Sequence, residues 1–485
     1  MKSRNTMIKS VGRVLAAIAV GVSLAGCNDF FDLQPTNEMV LDDFWKSEDD
    51  VKSVTSSCYR NMQESDFLKR VIVWGEFRSD NMLLSPSNGD DNLRYIANLN
   101  LLPSNGYTSW GNFYNVINLC NTVEHFAPGV RDEDPNFTQS QLNAYLAEVK
   151  GIRAYCYFTL VRAFRDVPFV TEPVIDDTDT FEAPQAAPAH IIDFLIDDLK
   201  AVEPRAAATY SNKTYTKSRM TQAAIRALIA DMCLWRGRYS ECIEYCNRIL
   251  RDANNVFTLV PSMSYSREVF TTGLSSETIF ELNYNTVNYW NYAVADFYGE
   301  QSQGYAQQII PYDFKTGVRQ LFGETDLRER TSYYSNSGGG AIIRKYVSYL
   351  EGTALTASNV SSGDYTRVSP YETKWIVYRL PEIYLMKAEA IVESGGDLQE
   401  AFRLACISYD RANPEAGAGS LSFDNYNSTE LMLNFIYDER QREFLYEGKR
   451  YFDLLRRITH QRDQFRNLVS TYLAVKYDNL DQSTV

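Results

Sequence analysis

Apolar residues recur at three- and four-residue spacing over much of the chain, the period of helices that bury one face. Val51, Val54, Cys58 and Met62 mark a first such stripe, with Asp42 ahead of it as the expected N-cap of a helix opening at Asp42-Asp43-Phe44-Trp45. Residues 107–126 form the next, with Trp110, Phe113, Ile117 and Cys120 on one face and Pro128 beyond the end. Residues 139–165 give the longest stripe (Leu142, Tyr145, Val149, Ile152, Cys156, Leu160, Phe164), stopped at Asp166-Val167-Pro168 because the residue before a proline resists helical dihedrals. A further amphipathic helix spans 190–202 and ends at Pro204.

Two segments read as helix, glycine turn, helix. In 221–251, Ala224, Ala227, Leu228 and Met232 pack the first helix, Gly237 turns the chain, and Tyr239, Ile243, Cys246 and Leu250 pack the second. In 380–412 the turn is Gly395-Gly396-Asp397. Alanines at contact positions allow close approach, as in tetratricopeptide-type hairpins, although no 34-residue period is present. Between these units, over 257–374, the helical period is lost and Gly, Asn, Ser and Tyr dominate. Long irregular segments of this kind commonly carry function. Gly338-Gly339-Gly340 reads as a flexible loop tip and lacks the Lys and Ser/Thr of a phosphate-binding loop.

The N-terminus changes the picture of where the chain works. Lys2, Arg4, Lys9 and Arg13 give a basic start, 11–24 is largely apolar, and Leu24-Ala25-Gly26-Cys27 follows. That is the layout of a secretory signal, too short for a membrane span. Small residues directly before a cysteine look like a bacterial lipobox, in which Cys27 becomes the acylated N-terminus. Each buried CH₂ of the acyl chains adds roughly 0.8 kcal/mol to anchoring. Residues 1–26 are therefore expected to be removed, and a short tether begins at Asn28.

Charge narrows the partners. The formal net charge is −14, and loss of the signal takes four cations and no acids, leaving −18. So acidic a body disfavours nucleic acid and docking on anionic lipid heads. Tyr outnumbers Phe, 33 to 25, which suits wet aromatic surfaces for protein or sugar. Apart from Cys27 seven cysteines remain, an odd number with no Cys-x-x-Cys, and Cys242 and Cys246 read as core thiols on one helix face. His125, His190 and His460 are scattered, so no zinc site is expected. Asp90-Asp91 and Asp176-Asp177-Asp179 lack the spacing of a calcium loop and read as solvated acids. No metal or other cofactor is expected.

Three stretches, in order behind the lipobox, carry a specific resemblance. They are Glu148, Arg153-Ala154-Tyr155, Tyr157-Phe158, Leu160 and Asp166-Val167-Pro168; then Arg379 to Leu385 with Ala388-Glu389-Ala390; then Glu439-Arg440, Glu443, Glu447-Gly448, Arg450, Asp453-Leu454 and Arg456. Phe44-Trp45 and Arg78-Ser79-Asp80-Asn81 accompany them. Together they resemble the SusD/RagB family of nutrient-binding outer-membrane lipoproteins. Arg165 and Asn413 stand where that family often has glycine, and Pro381 where it usually has alanine.

The resemblance implies a mainly α fold of about four tetratricopeptide-like helix pairs in a right-handed superhelical scaffold, with irregular loops carrying the ligand face. It implies one SusD-like domain over 27–485: a helical N-terminal half (about 40–255), a loop-rich ligand region (about 257–374) and a helical C-terminal part (about 375–475). It further implies surface exposure on the outer membrane of a Bacteroidetes-type Gram-negative bacterium. The implied partners are a glycan and a SusC-like TonB-dependent transporter. No catalytic residues are expected: the chain has no Gly-x-Ser-x-Gly and no His-Glu-x-x-His. The alternatives are a surface glycosidase built on paired carboxylates and a helical-repeat scaffold that binds only protein or peptide.

The Glu439, Glu443, Glu447 row reads as a structural ion network, neutralised by Arg440, Arg442 and Arg450 and accompanied by Asp453. For glycan contact the candidates are exposed rings beside amides and acids, because a ring covers the C–H face of a pyranose while polar groups satisfy its hydroxyls. Two sets qualify: Trp74 with Asp80 and Asn81, and Tyr289, Trp290 and Tyr292 flanked by Asn288 and Asn291.

Overall fold

The computed structural model describes residues 44–85, 89–175, 183–253, 256–285, 287–299, 309–311, 320–335, 341–357 and 360–460. Cys27, Asp42, the Asp176–Asp179 acids and the Gly338–Gly340 tip lie outside the described residues. Of the segment up to Lys46, residues 44–46 are described, and there the Phe44 and Trp45 rings meet edge to face at 5.3 Å. Residues from Ser47 onward form a second, compact unit built mainly of helices.

Its first helix, α1 (Glu48–Met62), carries the first apolar stripe and begins at a capping box. The Ser47 N–H and hydroxyl both donate to the Asp50 carboxylate, at 2.8 and 2.7 Å, which satisfies this helix's N-terminus. α2 (Ser65–Ile72) runs straight into a π-helical turn, Val73–Phe77. α3 spans Gly111–Glu133 and includes Pro128, so this helix starts later and ends later than its apolar stripe suggested. A proline inside a helix costs about 3 kcal/mol; burial of Ala127 and Val130 on either side offsets it.

α4 (Gln139–Phe164) opens on a Thr138–Gln141 capping box and buries most of its surface. Its Gly151 is required by close approach: a Cβ there would lie 2.3 Å from Met220 Cγ. α5 is Pro188–Val202. α6 (Gln222–Trp235) and α7 (Tyr239–Leu250) form the expected hairpin about Gly237, whose φ is +70°. The buried face of α7 is Cys242, Tyr245, Cys246 and Ile249, whereas Tyr239, Ile243 and Leu250 are half-buried. The helix is rotated from the expected stripe because it is covered by α6 on one side and by α8 on the other.

α8 (Leu380–Glu393) and α9 (Leu398–Ala412) form the second hairpin, and α10 (Thr429–Phe444) and α11 (Arg450–His460) close the chain. Helices pack in sequential pairs: α1 on α3, α3 on α4, α4 on α5, α6 on α7, α8 on α9 and α9 on α10, with α7 on α8 joining the two hairpins. Between α8, α9 and α10 the large side chains Leu385, Ile391, Met432, Leu433 and Ile436 interdigitate with Ala388, Ala401 and Ala405. Each large apolar side chain buried this way contributes about 1.5–3 kcal/mol.

The segment that lacks helical period is not wholly irregular. β1 (Thr278–Leu282) and β2 (Trp375–Arg379) pair antiparallel with every residue buried. Full burial removes the alternation by which a strand is recognised in sequence. This pairing brings both ends of the intervening segment to one place. The seven described cysteines are all free and buried, and burial pushes the Cys156 thiol up.

Candidate functional site

The acidic row on α10 is the most heavily charged place in the interior. Glu439, Glu443 and Glu447 are buried, but their partners are mostly not the arginines adjacent in sequence. Arg328 reaches Glu439 at 2.6 Å and Glu443 at 3.0 Å. Arg379 and Arg411 also pair with Glu443, and Lys345 donates to Glu447 at 2.7 Å. Of the expected neutralisers only Arg442 contacts the row, at Glu439 (3.0 Å). Arg440 turns instead to Asp453 (2.8 and 2.9 Å), and Arg450 to Asp80 (2.8 and 3.0 Å).

The helix ends at Phe444, so Glu447 leaves the i, i+4 row, and the face carrying the acids turns toward α9 and the Asp326–Arg328 turn rather than along its own helix. Burial alone would raise Glu443, and Arg411, Arg379 and Arg328 more than reverse it, holding its carboxyl well below the usual range. With three cations on one fully buried carboxylate, Glu443 ties α10 to α9, β2 and the Arg328 segment.

Trp74, Asp80 and Asn81 are also interior. Trp74 stacks on Phe113 (4.9 Å, 28°), meets Phe164 edge-on, and donates from Nε1 to the Tyr107 carbonyl at 2.8 Å. Asp80 is held by Arg450, while Asn81 donates to Glu76 at 2.5 Å and accepts from Gln441 at 2.7 Å. The expectation of a glycan contact here gives way. The π-helical turn points Trp74 into the core, and the Arg78–Asn81 stretch bolts the start of the fold to α10 and α11.

The other aromatic set is at the surface. Trp290 is 42% exposed and Tyr292 46%, and they cluster with a third ring, Tyr371, which the sequence reading did not single out. Centroid distances are 5.8 Å for Trp290–Tyr292, 5.0 Å for Trp290–Tyr371 and 5.5 Å for Tyr292–Tyr371, with interplanar angles of 35°, 45° and 72°. The rings thus form an angled platform.

Asn291, expected at the sugar rim, is fully buried and builds the platform instead. Its N–H donates to the Tyr371 carbonyl (2.8 Å) and its Nδ2 to the Thr373 carbonyl (2.8 Å). Its Oδ1 accepts from Val294 N–H (3.0 Å) to cap the short helix Tyr292–Phe297. Two loops some eighty positions apart in sequence are locked by this one side chain. Within the first loop, Asn285 and Tyr289 form an isolated β-bridge, and Asn285 Oδ1 accepts from Val287 and Asn288 N–H. Asn288 remains exposed. Tyr289 faces α1, with the Arg60 guanidinium 4.5 Å from its ring centroid. The one sequence hint of Tyr371 was an aromatic directly after Ser369-Pro370, a turn signal inside the irregular segment.

Rings held this way offer flat apolar surface with polar edges, the chemistry that a pyranose face and its hydroxyls require. Among the described residues no cluster of His, Cys, Asp and Glu is arranged to hold a metal ion, and no described helix is long and apolar enough to cross a membrane. Asp90 caps a short helix by accepting from Asn92 and Leu93 N–H.

Comparison with known proteins gives a consistent result. SusD-like protein P38 of Formosa agariphila is 25% identical over 472 residues, covering 91% of this chain and 90% of its own. A crystal structure of a SusD superfamily protein from Bacteroides vulgatus superposes with a TM-score of 0.71 at 18% identity, covering 91% of this chain and 92% of that one. Surface glycan-binding protein A from Bacteroides uniformis superposes at 0.65 and 20% identity, over 85% of this chain and 88% of its own. The SusD family model itself matches residues 203–482, more than half of the sequence, and the chain belongs to the SusD family.

Proposed function

We propose that this protein is a surface lipoprotein that binds oligosaccharides, leaves them uncut, and hands them to a TonB-dependent outer-membrane transporter, with acylated Cys27 as its tether. The observation that carries the reading is the exposed Trp290–Tyr292–Tyr371 platform, fixed by Asn291. The likeness in fold to a protein named for surface glycan binding supports it. Non-catalytic action is supported by the interior placement of Glu439, Glu443 and Glu447, each paired with a cation.

A binder that passes its cargo on must also release it, so affinities of roughly micromolar to millimolar are expected, about −8 to −4 kcal/mol. The test is calorimetric titration of the mature protein with a panel of oligosaccharides, with product analysis alongside. Trp290→Ala should weaken whichever saccharide binds by about tenfold, near 1.4 kcal/mol. Unchanged binding removes the platform from the reading, and cleavage of the bound saccharide removes non-catalytic action. For the tether, incorporation of labelled palmitate should be abolished by Cys27→Ser.

A further inference from the structure

On α1, Lys52, Ser56 and Arg60 stand four residues apart and so share one face of the helix. At 1.5 Å of rise per residue the backbone positions of Lys52 and Arg60 are about 12 Å apart along the axis, the scale of a disaccharide repeat. Tyr289 stands opposite, stacked on the Arg60 guanidinium. Between them run two adjoining cavities of 380 and 420 Å³ that share Lys52, Ser56, Arg60 and Tyr289. Arg219 and Tyr215 line the inner end.

The groove gathers cations on the surface of an acidic molecule. Its lining contributes three cations (Lys52, Arg60, Arg219) and one acid, Asp49, in a chain of net charge −14. Arg219 is committed to Glu148 at 2.9 Å. The other two have only loose competitors: Lys52 meets Asp49 at 3.5 Å with both side chains more than half exposed, and Arg60 meets Glu64 at 2.9 Å with exposures of 39% and 48%. Exposed pairs of this kind hold weakly and yield readily to a better-placed anion. An aromatic ring beside cations at disaccharide spacing fits a saccharide that carries negative charge along its length. A neutral glycan would leave the cations unused.

We propose that this groove selects acidic saccharides, their carboxylate or sulfate groups meeting Lys52 and Arg60 and a ring face meeting Tyr289. The inference rests on the glycan-binding reading above and gives a substrate class to the groove beside Tyr289, the residue next to Trp290 of the platform.

The experiment titrates the mature protein with oligogalacturonate and with chondroitin sulfate oligosaccharide, each beside its neutralised counterpart, methyl-esterified or desulfated. At least one acidic form should bind about tenfold more tightly than its counterpart. That preference should shrink as salt rises from about 50 to 500 mM, because exposed charges are screened. The double variant Lys52→Gln/Arg60→Gln should lose the preference while keeping the wild-type thermal midpoint. Which of the two acidic probes is preferred tells carboxylate from sulfate. Equal binding of the neutralised forms, or a preference that survives in the double variant, overturns the inference. Trp290-dependent binding of neutral saccharides alone overturns it and leaves the glycan-binding reading standing; no binding of any saccharide overturns both.

Discussion

Arg165 ends α4 with φ +69° and ψ −101°, a region that costs an L-residue of order 1–3 kcal/mol because its Cβ crowds the backbone. Its side chain is exposed, so nothing evident is gained in return. The glycine that resembles the family pattern at this position therefore has a physical reason. Arg165→Gly should raise unfolding stability by about 1 kcal/mol, the strain relieved less the extra freedom that glycine gives the unfolded chain. Arg165→Ala, which keeps the Cβ, should give no such gain; equal denaturation midpoints for the two variants would sink the argument. The two tryptophan candidates show how far single residues could be read. Trp74 sits in the apolar run Val71-Ile72-Val73 and near Phe77, and it is buried; Trp290 lies among Asn288, Tyr289 and Asn291, and it is exposed. Both stand as glycan candidates in the sequence, although the polarity of their neighbours differs as their burial does; Asn291 breaks that rule, because a short polar side chain is as useful for capping a buried turn as for facing water.

At the scale of elements, the π-helical turn Val73–Phe77 meets the turn after α10 by a contact that admits no side chain. A Cβ on Gly75 would lie 1.9 Å from the Gly448 carbonyl oxygen, and Gly448 itself has φ +76°. The approach lets buried Glu76 accept from the N–H groups of Tyr446 (2.9 Å), Gly448 (3.0 Å) and Lys449 (3.2 Å). Gly75→Ala should therefore destabilise the protein by about 3 kcal/mol, at the upper end for overpacking, since backbone on both sides must move. A urea midpoint within error of wild type would show that the turn yields easily. This junction links Arg78–Asn81 to the Glu439–Asp453 stretch despite their separation: Asp80 pairs with Arg450, and Glu76 takes three N–H groups from the turn after α10 besides the Asn81 amide. Helices with a sustained apolar stripe, such as α4, and hairpins marked by glycine, such as α6–α7 and α8–α9, were legible in sequence. The π-helical turn, the passage of α3 through Pro128 and the buried pair β1–β2 were not, because tertiary burial decided each of them against the local signal.

Over the whole molecule, two groups of buried carboxylates have effects on stability that oppose each other with pH. Glu443, Glu447 and Asp453 lie below their ordinary values: burial pushes each up, and surrounding arginines, with Lys345 at Glu447, pull it further down. Their stabilisation is present above the unfolded carboxylate range and is lost as pH falls through the folded values. Glu281 and Glu76 are the reverse, each pushed up to about 7 chiefly by burial. Between about 4.5 and about 7 the folded chain keeps protons that the unfolded chain has released, so the contribution of these two groups declines as pH rises. Glu281 is the cleaner one to test. It lies on β1, fully buried, with Oε1 accepting from Leu274 N–H at 3.0 Å, a bond that an amide oxygen reproduces. Lys374 and Lys217 offset its burial only in part, and Lys217 is itself lowered to about 8 by burial, so neither cation fully secures the charge. Glu281→Gln removes the titration while keeping shape. Urea midpoints should then be close to wild type near pH 4.5 and higher than wild type at pH 8, with Glu76 and the likewise raised Glu277 and Glu382 contributing to the decline that remains. Parallel midpoint curves for the two proteins across that range would mean that Glu281 is already ionised in the fold, and that the charge pattern around β1 and β2 compensates its burial more fully than the geometry implies.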